Sequence, residues 1–306
     1  MSYTNNIPDG FPLLYSDQWR LGVAQLSSRL EGYVNTEVMH GDSKRYQKIA
    51  PFSARKITTR FGDTNPDDID TEYRWLYVGF SDSAHIIDRR EVMQLGAVGS
   101  PHTAILRQQL AAAGRDMDST LITALGATVQ SGKTGATGIA FPSSQQIAVD
   151  FGSAGTANNM TFKKMIEVCR ILGSNDVTGQ DVENNSPVVL VISHNQVASL
   201  LREIQFTSAD YSEIRRLHTG TVVNLMGVAV KAVSPNLLAY DSVTHVRTCY
   251  AYARNSVVFG IAENPQSWVD ELPTKRHDVQ LRTEWGWGGL RLDEEGVIQI
   301  ACDEDY

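Results

Sequence analysis

The chain has 306 residues, of which 42% are hydrophobic and 8% aromatic, enough to bury about three quarters of its unfolded surface in one to three domains. A formal charge of −8 excludes a surface that wraps nucleic acid all round, because phosphate neutralisation needs clustered Lys and Arg; a local basic patch stays open. Cys169, Cys249 and Cys302 are odd in number and lack metal or redox spacing, so they read as buried reduced thiols, and neither a secretion signal nor an apolar run long enough to cross a membrane is present.

In chain order, residues 1–15 carry Pro8, Gly10 and Pro12 and read as an extended arm. A short amphipathic helix is expected over residues 16–33, with Trp19, Val23, Leu26 and Leu30 on one side. From residue 41 to 80 the period becomes two and the charges separate. Lys44, Arg45, Lys48, Arg55, Lys56 and Arg60 come without an acid among them; Asp63, Asp67, Asp68, Asp70 and Glu72 follow without a base. With the turn-rich stretch 62–68 between the blocks, this predicts a long two-stranded hairpin in which Ile57, Thr59 and Phe61 face Tyr73, Trp75 and Tyr77 in some register. A lone hairpin is marginally stable in water, so it is expected to lie on a neighbouring copy; the alternative is that the charges only solubilise a hairpin held within its own domain.

Residues 81–99 lead through Gly96 and Gly99 into the longest helix, expected over residues 100–126. Ser100 and Pro101 make a strong start, and Leu106, Leu110, Ala113, Met117, Leu121 and Leu125 recur at steps of three or four. Such a helix spans about 40 Å. Residues 126–138 read as a glycine and threonine loop, residues 141–151 as holding a strand, and residues 152–159 as a second link.

An α/β rhythm follows. Thr161 caps a helix to about residue 172, with Phe162, Met165, Val168 and Cys169 as its core face. Pro187 introduces an apolar strand over residues 188–192, then a helix over 195–204, two short strands within 222–233, and strands over 246–253 and 257–261. Residues 279–300 read as a strand, a corner at Trp285-Gly286-Trp287-Gly288-Gly289, and a closing strand over 297–300.

No stretch carries a recognisable catalytic, cofactor or metal site. Gly132-Lys133-Thr134 resembles the end of a phosphate-binding loop, but that motif needs glycine where Ala127 stands and a strand-to-helix context that is missing. His85 with Asp88, or His277 with Asp278, lacks an accompanying nucleophile turn. Asp116 and Asp118 on a helix point about 200° apart, which suits a solvated face or a salt bridge to Arg115 or to a neighbour rather than a metal.

The order of arm, long hairpin, long helix, α/β region and return strands resembles the major capsid proteins of tailed bacteriophages, the Hong-Kong-97-type coat fold. The stretch Val189-Leu190-Val191-Ile192-Ser193 with Gln196 to Leu201, then Phe206 to Tyr211, Thr219-Gly220-Thr221-Val222, Met226-Gly227-Val228 and Ser234-Pro235-Asn236-Leu237 is similar to that family's axial domain. Residues 106–125 resemble its spine helix, and Leu292-Asp293-Glu294-Glu295-Gly296-Val297 its closing segment. The resemblance implies an α+β fold with an N-terminal arm and short helix at 1–40, an extended β-hairpin loop at 41–78, a peripheral domain at 79–154 and 263–306 carrying the spine helix 100–126, and an axial domain at 155–262. It further implies a shell subunit that assembles as pentamers and hexamers around double-stranded DNA in the bacterial host cytoplasm. Scaffolding and portal proteins are the implied partners, with a decoration protein left open; no sequence-specific DNA contact, membrane, enzymatic activity or cofactor is implied. A same-fold nanocompartment shell, or an enzyme with an unrecognised site, are the alternatives.

Overall fold

The computed structural model describes residues 25–49, 52–56, 60, 68–88, 102–153, 155–178, 187–202 and 227–305. Among the described residues, thirteen strands and three α-helices build an α+β architecture of three sheets. The arm at 1–15, the first part of the helix expected at 16–33, the hairpin partners Ile57, Thr59 and Phe61, the helix start at Ser100 and Pro101, and the segment 206–226 lie outside the described residues.

The organising element is α1 (His102–Gly126), 25 residues long, close to the expected bounds. Its inner face carries Ala113, Met117, Leu121 and Leu125 as the spacing requires, but the stripe drifts near its start: Leu110 is exposed and Gln109 is buried. The helix lies across a four-stranded sheet ordered β1 (Asn35–Val38), β11 (Val257–Leu272), β12 (Asp278–Arg291) and β4 (Gly79–Ile87). Gln109 sits in that interface because its Nε2 donates to the carbonyls of Ser83 and Leu281 while its Oε1 accepts from Thr283.

Two expectations about this sheet are corrected. β11 does not stop at residue 261 but runs to Leu272, paired with β12 through register shifts between Ile261 and Gln266. Those irregularities accommodate Pro265, which has no N–H for a regular ladder. Trp285-Gly286-Trp287-Gly288-Gly289 is no corner, since β12 passes straight through it. The glycines serve close approach: a Cβ on Gly288 would stand 2.0 Å from the Tyr77 carbonyl oxygen, and one on Gly289 2.6 Å from the Ala124 Cβ. The two tryptophans turn to the helix, where both indole Nε1 groups donate to Asp116, at 2.8 and 3.1 Å.

A second sheet has the order β7 (Gln146–Ile147), β13 (Val297–Asp303), β10 (Val246–Ala253), β8 (Val188–Ser193) and β9 (Val228–Val233). β8 is buried at all six positions, as a continuous apolar run covered on both faces should be. It pairs in parallel with β9, and α3 (His194–Arg202) begins the crossover between them. α2 (Phe162–Ser174) starts as expected, with the Thr161 side chain accepting from the Lys164 amide. Its inner face is Lys164, Met165, Val168, Ile171 and Leu172, whereas Phe162 and Cys169 are only partly buried. The strand expected within 141–151 shrinks to the two residues of β7, behind a short 3-10 turn at Ser143–Gln145.

The third sheet is β2 (Ser43–Ile49), β3 (Thr71–Tyr77), β5 (Val129–Ser131) and β6 (Thr137–Ile139). The hairpin over 41–80 therefore exists, with a different register. Gln47, Arg45 and Ser43 face Tyr73, Trp75 and Tyr77. The inward face of β3 is Arg74 and Leu76, not the aromatic row, because Leu76 joins a small core with Met39, Val129, Val258 and Leu290. The loop expected over 126–138 contains the hairpin of β5 and β6, which extends this sheet from the end of α1.

The described part of the helix expected at 16–33 is not α-helical; residues 25–30 are irregular and Glu31–Tyr33 form one 3-10 turn. The cause is Asp118, which is 0% exposed on α1. Its carboxylate accepts from the Arg29 and Leu30 amides, at 3.1 and 3.2 Å, and from the Ser28 hydroxyl at 2.6 Å and Gln25 Nε2. Amides bound to a side chain do not close helical turns, so the segment becomes a strap laid on the spine.

Candidate functional site

The ribbon of β2 and β3 leaves the body at a root built from charge. Lys48 Nζ lies 2.7 Å from Asp293 and 3.4 Å from Glu295; Arg74 Nη2 lies 2.9 Å from Glu72 and 3.0 Å from Glu294. Burial opposes both positive charges, but hydrogen bonds and the field of Asp293 for Lys48, and of Glu294 and then Glu72 for Arg74, outweigh it and hold both pKa values above their ordinary ranges. Lys44 pairs with Glu37, whose carboxyl it pulls below the usual range, and Tyr46 donates to the same carboxylate at 2.8 Å. Burial and that carboxylate push the Tyr46 hydroxyl up to about 12. Arg45 stacks its guanidinium over Tyr73 and Trp75, 4.8 and 5.9 Å from the ring centroids, and Trp75 Nε1 donates to the Gly132 carbonyl at 2.8 Å. Lys44, Lys48 and Glu72, members of the two charge blocks, are paired within their own chain.

Beyond the root the ribbon's apolar groups have no such cover. Phe52 is 70% and Ile69 63% exposed, and Ile49 is more than half exposed. On the sheet under α1, Phe80, Ile86, Trp268 and Val269 are exposed as well. The outer face of that sheet combines Phe80, Ile86 and Trp268 with Arg282, which lies 3.1 Å from Asp82 and 2.7 Å from Glu284.

The residues weighed as chemical sites fall apart in space. Gly132-Lys133-Thr134 forms the tight turn from β5 to β6, with Gly132 and Gly135 at positive φ and no helix behind it. His85 lies on β4 opposite Leu281, and His277 at the exposed end of β11 and β12, 4.0 Å from Glu271. Asp116 holds the two tryptophans and Asp118 the strap, so neither is a solvated acid. Among the described residues no group of three His, Cys, Asp or Glu is placed to hold a metal, and no helix is long and apolar enough to cross a membrane. Cys169, Cys249 and Cys302 carry no disulfide; Cys249 and Cys302 are buried, while Cys169 is half-buried.

The sequence reading missed three buried cations and the acid that answers one of them. Lys164 is 0% exposed and donates to the carbonyls of Val149, Asn158 and Ala301 at 2.8 to 3.0 Å, tying α2 to β13. Desolvation draws its pKa below the ordinary lysine range, yet three carbonyl acceptors call for the three donors of an ammonium. Its place in the step-of-four series Lys164, Val168 and Leu172 was the available signal. Arg291, also fully buried, donates to the Leu125 and Ala127 carbonyls and caps the end of α1. Arg247 is buried and pairs at 2.5 Å with the part-buried Glu304, which ties the segment after β13 to β10. Burial alone would raise the Glu304 pKa; hydrogen bonds from Arg247 and Gln196 overcome this and leave it lowered.

The arrangement offers anchored roots, exposed apolar ribbons and no reactive centre among the described residues. Comparison with known proteins agrees with a chain built for contact. The phage capsid protein family matches residues 7–304. No curated protein sequence matches. Among solved structures the chain is similar to one from Mycobacterium phage Che8, with 16% identity, TM-score 0.69 and 98% of each chain covered. It is similar to the capsid asymmetric unit of cyanophage Pam1, with 12% identity and TM-score 0.69 over 99% of this chain and 98% of that one. The acid-stable capsid of Helicobacter pylori bacteriophage KHP30 matches with 9% identity and TM-score 0.69 over 99% of each chain. At these identities the structures show a shared fold, and the family match over nearly the whole length shows the rest: this chain belongs to the phage capsid protein family.

Proposed function

We propose that this chain is the major shell subunit of a tailed-phage head, a structural protein without enzymatic activity. It has the Hong-Kong-97-type arrangement and assembles as hexamers and pentamers around double-stranded DNA. The observation that carries this reading is the ribbon, whose charged root forms ion pairs inside its own chain while Ile49, Phe52 and Ile69 stay open to solvent. A protein that leaves such groups uncovered at the end of a strand pair and just beyond it invites association, and heterologous contacts that close into rings turn that liability into a shell.

In this reading residues 41–78 are the extended loop, 79–154 and 263–306 the peripheral domain around α1, and 155–262 the axial domain, with the pairing of β13 to β10 tying the last two together. Scaffolding and portal proteins direct assembly in the host cytoplasm. The net charge of −8 suits an inner wall that repels packaged DNA weakly instead of binding its phosphates. Negative-stain microscopy of the expressed chain, alone and with the scaffold candidate from the same genome, tests the proposal. Rings or closed shells are expected; monomers under every condition would overturn it, and an inner wall lined with unpaired Lys and Arg in a particle map would overturn the weakly repelling wall alone.

A further inference from the structure

A cleft of about 380 Å³ runs along one flank of α1, between the helix and the junction of β3 and β4, over the Trp287-Gly288-Gly289 segment of β12. Asp116, Ser119, Thr120 and Thr123 line it from the helix, Tyr77 and Ser81 from the strands, and no basic residue lines it. Asp116 is half-buried. Its Oδ2 accepts both indole N–H groups of Trp285 and Trp287, which fixes the carboxylate's orientation. Its Oδ1 accepts from no group among the described residues and is not enclosed. Asp118, two residues on, differs: its carboxylate is filled by Gln25, Ser28 and two amides.

A cleft with one anchored carboxylate and no cation of its own is a receptor for a cation. A guanidinium uses the most of it. Its N–H groups can donate to Oδ1 and to the hydroxyl oxygens of Ser119 and Thr120, while its flat face stacks on Tyr77, which is 49% exposed. The chain already places arginine on rings in this way, Arg45 over Tyr73 and Arg291 over Phe141, each 4.8 Å from the centroid. An ammonium lacks the flat face, and a metal ion would find one carboxylate where it needs several oxygen ligands.

The matching group stands at the far end of the same strand. The turn between β11 and β12 is exposed throughout residues 273–277, and Lys275 and Arg276 in it have no acid partner among the described residues. Arg276 and His277 hold φ of 56° and 61°, which side chains other than glycine rarely adopt, and the His277 amide donates to the Leu272 carbonyl at 3.0 Å. Arg276 is thus held out on a fixed turn. Ten steps of about 3.3 Å from Asp278 to Gly288 put that turn about 33 Å from its own cleft, so only another copy can bring the two together.

We infer that Arg276 of one copy enters the Asp116 cleft of the next, making β12 a bar with a plug at one end and a socket near the other. Each copy gives one plug and takes one, a heterologous contact that closes into a ring when the rotation between copies allows. The inference rests on the shell reading above, which supplies the second copy, and it adds a contact that the ribbon does not make.

The test compares the unassembled subunit with the particle. Asp116→Asn keeps an oxygen for the indoles and removes the charge; Arg276→Gln removes the guanidinium from an exposed turn. Each is expected to leave the unfolding midpoint of the subunit unchanged and to raise the critical concentration for assembly about tenfold. The double variant should lose no more than either alone, because both delete the same contact. A particle map resolving side chains should place the Arg276 guanidinium within about 4 Å of Asp116 in the adjoining copy. An unchanged critical concentration, additive losses in the double variant, or another group on Asp116 in the map, Lys56 of the ribbon included, would overturn the inference while leaving the shell reading intact. A wild-type chain that never assembles would overturn both.

Discussion

The five-stranded sheet and the ribbon solve the same problem in opposite ways. In and against the sheet the buried cations find partners of their own chain: Lys164 on α2 has three carbonyls, Arg247 has Glu304, and β8 is covered on both faces. In the ribbon only the root is ion-paired within its own chain, and the apolar side chains further out are left in solvent. One region can hold its fold alone, whereas the other keeps part of its burial for a contact still to be made. Stability and assembly should therefore be separable by mutation.

The largest expected effect is in the sheet. Arg247→Ala leaves the Glu304 carboxylate buried without its cation, and should cost the isolated subunit about 3–5 kcal/mol in chemical denaturation. Leu121→Ala, under the spine helix and 0% exposed, should cost about 2–5 kcal/mol in the same measurement. Asp118→Ala should cost about 1–3 kcal/mol and free the strap at residues 25–30, read as faster proteolysis there; an unchanged cleavage rate would deny the strap its anchor.

Acid separates the regions differently. Glu304 has a lowered pKa in the folded chain, so its contribution is present above the unfolded value of about 4.3 and is lost as pH falls through the lower folded value. Stability should decline with acid in that window, and Glu304→Gln should flatten that part of the pH profile. The smallest effect on the subunit is Phe52→Ser, expected within about 0.5 kcal/mol of wild type, since the side chain is exposed. The same variant should lose assembly in sedimentation. If it destabilises the subunit and leaves assembly untouched, the contrast between the two regions fails.

How much of this was legible beforehand depended on the range of the interaction. The spine helix, the buried run of β8, the Thr161 cap and the existence of the hairpin all follow from spacing within a few residues, and all stand in the structure. The hairpin's register did not, because it was set by Leu76 entering a core with Met39, Val129, Val258 and Leu290, residues distant in the chain. The ribbon root was half readable: the charge blocks pointed to ion pairs, but the acids that answer Lys48 and Arg74 include Asp293, Glu294 and Glu295, some 220 residues or more away.

The sequence by itself determined the periodicities, since side-chain direction on a helix or strand is a local property of the backbone. It also determined the absence of any spacing suited to a metal or a phosphate loop. Tertiary structure alone decided what each polar residue does. Asp118 became the anchor of a strap and the Trp-Gly run a straight strand against the spine, because in each case the partner comes from a distant part of the chain. Burial of a polar group is tolerable only when that partner arrives, and no local pattern records its arrival.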